Sequence, residues 1–151
     1  MTPEELEGLD PDRILTAAHE LGHLFAFRAR GFVVSGIHVS GKGDRVSGHV
    51  VLEIPDKASF ATDQERRNYA VGTLAGRAAE LKWAATFDVK PGHESTCQTD
   101  MRDAKNARRQ MGAWVFESTL KDEAAREVTR YWRQILRLVP RLAKCGSVPI
   151  P

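Results

Sequence analysis

The 151-residue sequence predicts a single α+β domain, residues 1–151, mainly α-helical with one small β-sheet beside its first long helix. Three observations lead to this class. Apolar residues recur at three- and four-residue spacing through most of the chain. β-Branched residues concentrate in one glycine-punctuated block, 32–55. No internal repeat, low-complexity tract or linker divides the chain.

The elements follow in order. Asp10 and Pro11 read as a helix N-cap with proline at the first helical position, where its missing N–H costs nothing. Ile14, Leu15, Ala18, Leu21, Leu24 and Phe25 then mark one face, and Gly31 supplies a stop, so an amphipathic helix is expected here. The block FVVSGIHVSGKGDRVSGHVVLEIP predicts three short strands, around 32–35, 37–40 and 47–53, with GKGDR as a turn. Helical spacing returns in ATDQERRNYAVGTLAGRAAELKWAATF, where Thr62 and Glu65 form a capping box and Tyr69, Leu74, Ala78 and Leu81 mark the inner face. A loop, DVKPGHESTCQT, leads to a third helix from about Asp100 to Trp114. The last helix starts near Thr119 or Asp122 and runs towards Leu138, with Val128, Trp132, Ile135 and Val139 inward and Pro140 bending or ending it.

The first long helix carries the chemistry. Its stretch TAAHELGHLFA places His19 and His23 four residues apart, so both imidazoles lie on one face, one turn from each other, and can converge on a single ion. Glu20 is rotated by about 100° from His19 and can sit beside that ion without ligating it. Zinc accepts two histidine nitrogens and one further protein ligand and keeps a fourth position for water, whose proton the free carboxylate takes. A helix with two solvated histidines is the plainer alternative. His38 and His49 fall on strands and read as exposed or hydrogen-bonded side chains, whereas His93, in the loop before the third helix, could donate to a reacting carbonyl. Carboxylates are the better source of a third ligand. Asp100 opens the third helix but could merely cap it together with Thr99; Glu80 lies on the second helix, three residues from Arg77; Asp103 is one turn past Asp100.

Composition restricts the function classes. With 42% hydrophobic and 28% charged residues the chain can bury a real core. No apolar run reaches the length of a membrane span, and MTPEELEGLD lacks a signal-peptide core, so a cytoplasmic protein is expected. Net charge is only +2, and the arginine-rich segments RDAKNARRQ and REVTRYWRQILRLVPR have helical apolar spacing, which reads as solvated helix faces rather than a nucleic-acid surface. Cys97 and Cys145 have no partner motif and are expected to be thiols.

Three motifs, in order, resemble the peptidase domain of the FtsH-type ATP-dependent zinc metalloproteases. TAAHELGHLFA resembles the family's His-Glu-x-Gly-His helix, LAGRAAEL its Gly-Arg-x-Ala-Glu segment, and STCQTDMRDA its Thr-Gly-Ala-x-Asn-Asp-Leu-x-x-Ala segment. The resemblance covers about residues 13 to 110, including the strand-turn-strand after the first motif. Thr96 and Cys97 stand where the family has Gly-Ala, and Thr99 replaces its Asn. The resemblance implies a zincin-like helical domain with Zn2+ held by His19, His23 and Asp100, Glu20 as the catalytic base, and Glu80 as a group orienting a histidine.

No Gly-x-x-x-x-Gly-Lys-Ser/Thr loop occurs, so the expected substrate is an unfolded or flexible polypeptide, with a separate ATPase or adaptor as a further partner. An extended substrate could pair with the strand segment Gly48 to Glu53. Two other readings stand beside this one: a regulatory metallopeptidase resembling the ImmA/IrrE group, which cuts one partner, and a peptide-binding module that keeps the fold without turnover.

Overall fold

The computed structural model describes residues 3–54, 60–92 and 97–151. It is mainly helical with one two-stranded antiparallel sheet, in the order α1 (Pro3–Leu6), α2 (Pro11–Ala29), β1 (Val34–Ser40), a 3-10 turn (Gly43–Arg45), β2 (Ser47–Leu52), α3 (Asp63–Phe87), α4 (Gln98–Arg109), α5 (Glu117–Arg130) and α6 (Trp132–Cys145).

Helix α2 is the centre of the fold, packed against α3, α5, α6 and both strands. It begins where its cap residues dictate: the Asp10 carboxylate accepts from the backbone N–H of Asp12 at 2.8 Å and of Arg13 at 3.4 Å, with Pro11 at the first turn. It ends at Arg30, and Gly31 takes the left-handed conformation at φ +90°. Ala17, Ala18, Leu21 and Leu24 are fully buried, because small residues on one side of α2 let α3 close in. A Cβ at Gly22 would lie 2.5 Å from the Ala75 carbonyl oxygen and 2.6 Å from Ala79 Cβ, so only glycine fits this crossing. Arg13 ties the start of α2 to distant segments, donating to the carbonyls of Ala143 (2.6 Å), Gly41 (2.9 Å) and Val39 (3.4 Å).

The sheet differs from the expected three strands. Residues 34–40 form one strand, and the irregularity at Ser35 and Gly36 is a bulge opposite Val51 and Leu52 rather than a strand boundary. His38 pairs with His49 and Ser40 with Ser47. The far edge of β1 is covered by the chain near Gly146 and Ser147, with Val39 N–H donating to the Gly146 carbonyl at 2.8 Å. The outer edge of β2 pairs with no strand among the described residues.

The capping box of α3 forms as expected: Thr62 Oγ1 accepts from Glu65 N–H at 3.1 Å, and the Glu65 carboxylate reaches back to Ala61 N–H at 3.0 Å. Tyr69 and Leu74 face the core, but Leu81 does not. It stays 45% exposed at the mouth of an apolar cavity between α3, α4 and α5, while Trp83 takes the buried position.

Helix α4 is shorter than expected, ending at Arg109 rather than Trp114. The cause is a tertiary contact. Asp63, at the start of α3, accepts from the backbone N–H groups of Gly112 (2.9 Å) and Ala113 (3.2 Å) and draws this segment off the helix axis. Those bonds, Gly112 first, together with the Arg66 guanidinium hold the Asp63 carboxyl below its usual range. A depressed carboxyl stabilises the fold above the unfolded value of about 3.9 and loses that effect as pH falls through its folded value. Acidification below about pH 3.9 should therefore shift the Gly112 and Ala113 amide NMR signals towards random-coil positions, a transition absent in Asp63→Asn.

The expected single last helix is two. They meet at Tyr131, whose ring stacks on Phe25 at 5.4 Å. Pro140 does not end α6, which continues to Cys145; one backbone bond is lost, but burial of Val139, Leu142 and Ala143 holds the final turns. Val128 and Ile135 are buried as expected, and Trp132 is half-buried near Trp83. No helix among the described residues is long and apolar enough to cross a membrane.

Candidate metal centre

Two helices bring three ligand-type side chains to one point. His19 and His23 project from the middle of α2, and Asp100 comes from the first turn of α4. Asp100 Oδ2 lies 2.9 Å from His19 Nε2 and 3.1 Å from His23 Nε2, and the three donor atoms all fall within 4.8 Å of one another. Around a tetrahedral ion with bonds of about 2.0–2.1 Å, neighbouring donors stand about 3.3 Å apart. The group could hold a metal ion, and its two nitrogens and one carboxylate oxygen suit a divalent transition metal.

The surroundings prepare the donors. His23 is buried, and its Nδ1–H donates to the Gly72 carbonyl at 2.9 Å, which fixes the ring and aims Nε2 at Asp100. Burial opposes a charge on this ring, but the Asp100 carboxylate, Glu20 and the Gly72 carbonyl prevail and push His23 up to about 9. Burial also works against the Asp100 anion, yet hydrogen bonds from the two histidines hold its carboxyl well below the usual range. A cluster that holds a proton this firmly offers the same lone pairs to a cation.

Close packing of α3 makes the convergence possible. A Cβ at Gly76 would fall 2.6 Å from His19 Nε2 and closer still to His23 Nε2. Glu20 is 6% exposed, outside the three-residue cluster, and β2 passes over it so closely that a Cβ at Gly48 would lie 2.7 Å from Glu20 Cγ. Burial, the largest influence, pushes the Glu20 carboxyl up, against the pull of His23 and His19.

The other candidates fall elsewhere. Glu80 is buried in an ion pair with Arg77, which also donates to the Gly92 carbonyl at 2.6 Å. It borders a cavity with His19 and Glu20, and no hydrogen bond joins it to His19 among the described residues. Asp103 faces the cavity over the cluster without entering the cluster. His38 and His49 are exposed on the paired strands, rings 4.9 Å apart, and His49 also borders the cavity over the cluster. Cys97, buried, lines the cavity, and Cys145 is exposed; both keep their thiols. His93 and Thr96 lie outside the described residues.

The cavity over the cluster, of about 350 Å³, is walled by Phe27 from α2 and Tyr69 and Thr73 from α3, which sequence reasoning missed, and by Val50 and Leu52 from β2, which lie in the segment Gly48 to Glu53 expected to meet an extended substrate. One signal was present. Gly72 and Gly76, four residues apart, mark a helix face that another element approaches closely. No protein-family model and no curated protein matches the chain.

Proposed function

We propose that this protein is a zinc metallopeptidase that hydrolyses peptide bonds in flexible or unfolded polypeptides. The observation that carries the reading is the His19–His23–Asp100 cluster with a buried, non-ligating Glu20 beside it. The order of its three motifs, which resembles that of FtsH-type peptidase domains, supports the same reading.

His19, His23 and Asp100 would hold the ion. When bound, zinc would polarise the scissile carbonyl and acidify water at the site. Glu20 accepts the water proton and returns it to the leaving amine, and burial, which pushes its carboxyl up, strengthens it as a base. The β2 edge aligns the substrate. Gly48, His49, Val50 and Leu52 border the cavity, so an extended chain paired to this edge would carry its backbone past Glu20 without a side-chain code. These 151 residues contain no phosphate-binding loop, so access to a folded substrate would fall to a separate ATPase or adaptor. Two thiols, one of them exposed, fit a reducing compartment such as the cytoplasm.

The test pairs metal content with hydrolysis. The protein is expected to bind about one zinc per chain and to cleave casein only when loaded. Asp100→Asn should lower zinc affinity by at least the ten- to hundredfold that loss of an outer-sphere partner costs, with a matching loss of hydrolysis. Glu80→Gln should retain zinc. Normal zinc binding by folded Asp100→Asn, with loss in Glu80→Gln, would move the third ligand to Glu80.

A further inference from the structure

The cavity over the cluster is a trough built from three rows of side chains. His19, His23 and Phe27 follow one another at four-residue intervals along one face of α2. Gly48, Val50 and Leu52 alternate along β2 and share its less exposed face. Tyr69 and Thr73, one turn apart on α3 and both buried, form the floor. The trough changes character along its length. At one end, under Gly48, stand Glu20 and the histidines of the cluster. The other end is apolar: the Phe27 ring stacks beyond His23 at 5.8 Å and packs against Tyr69 at 5.9 Å, and Leu52, paired with Val34, lies there too. A Cβ at Gly72 would collide with the Phe27 ring, so α3 holds this ring from behind. Thr73 is the exception in that apolar reach. It is 3% exposed, and its Oγ1 has no hydrogen-bond partner among the described residues, although a buried hydroxyl ordinarily finds one. Packing alone does not call for it, since valine would fill nearly the same space without an unpaired hydroxyl.

We infer that this trough is a subsite for a tyrosine side chain of the substrate, next to the peptide bond to be cut, with Thr73 as the residue that distinguishes tyrosine from phenylalanine. A phenol pairs a flat apolar body with a single hydroxyl, which matches aromatic walls around one unsatisfied hydroxyl. Each of the two hydroxyls can donate or accept, so they satisfy one another. Phenylalanine would fill the walls and leave Thr73 unpaired, and an amide side chain would forfeit the ring contacts. Main-chain pairing with β2 still aligns any extended sequence, and the trough then ranks the sequences so aligned. The assignment rests on the peptidase reading and names its preferred substrates.

The experiment uses the Glu20→Gln protein in the presence of zinc and a set of labelled peptides. The peptides differ in one residue, tyrosine, phenylalanine, glutamine or alanine, moved stepwise along an otherwise fixed sequence, and binding is read by fluorescence anisotropy. At one position tyrosine should bind at least about tenfold tighter than phenylalanine, and phenylalanine tighter than glutamine or alanine. Adding Thr73→Val should bring the tyrosine-to-phenylalanine ratio close to one without weakening phenylalanine, and Thr73→Ser should restore it. Because Thr73→Val removes an unpaired buried hydroxyl, it should also raise the urea concentration needed for unfolding. A less stable Thr73→Val protein would mean that the hydroxyl has a partner within the fold, which overturns the subsite. Equal binding of tyrosine and phenylalanine at every position, or a tyrosine preference that survives Thr73→Val, overturns it as well. Cleavage of the same peptides by the unmodified protein separates the two claims: tyrosine-selective binding without cleavage overturns the peptidase reading and leaves the subsite standing, whereas cleavage without tyrosine preference overturns the subsite alone.

Discussion

Glu20→Gln is expected to lower peptide hydrolysis by about two to four orders of magnitude while leaving zinc content nearly unchanged. The carboxylate is buried at 6% exposure beside His19 and His23 but takes no part in the three-residue cluster, so removing its basicity should not unseat an ion. Glutamine has the same shape, which matters under β2, where Gly48 leaves Glu20 no spare room. What the amide loses is the ability to accept a proton. The measurement is zinc by elemental analysis alongside casein turnover on one preparation. Loss of zinc in proportion to activity would make Glu20 a ligand or a structural residue.

Gly76→Ala should reduce zinc affinity at least about a hundredfold and destabilise the fold by roughly 1–3 kcal/mol through overpacking. The sign is the informative part. In an unconstrained helix interior, replacing glycine by alanine stabilises by about 0.5–1 kcal/mol. Here the added methyl would point at both imidazoles, 2.6 Å from His19 Nε2 and nearer to His23 Nε2. Either the rings rotate away from Asp100, or α3 shifts from α2, where Gly22 already brings the helices into backbone contact. Urea unfolding and zinc titration of the variant decide it. A Gly76→Ala protein that is more stable and binds zinc normally would show that the rings do not depend on this close approach.

The parts of the molecule legible in the sequence were those fixed by short-range rules. Asp10 and Pro11 start α2, Thr62 starts α3, and the i, i+4 spacing of His19 and His23 places both rings on one face, all within a few residues of chain. The elements misjudged were decided from far away. Helix α4 ends early because Asp63 captures Gly112 across 49 residues, and the last helix breaks where Tyr131 meets Phe25. Pro140 stays helical because its neighbours are buried against the core. The third corner of the site has the same character. Asp100 is 81 residues from His19, and only its place at a helix start, where a carboxylate has little freedom, and the order of the motifs rank it above Glu80 or Asp103. Phe27, Tyr69 and Thr73 were invisible as cavity walls because each also fits the apolar face of its helix.

Arg13 binds carbonyls of Val39, Gly41 and Ala143 with one guanidinium, and so joins the first turn of the site helix to the inner strand and to a residue 130 positions away. A planar fork of donors is rigid, so the three acceptors cannot leave it independently without stranding a charge among them. Fraying normally begins at a chain end and moves inward. Here the last turn of α6 can separate only by releasing the start of α2 as well, which makes these remote segments a single cooperative opening unit. The helix that carries His19, Glu20 and His23 is therefore clamped at its N-terminal end by the C-terminal region, and local breathing there would be transmitted to the site as an all-or-none event rather than a gradual loosening.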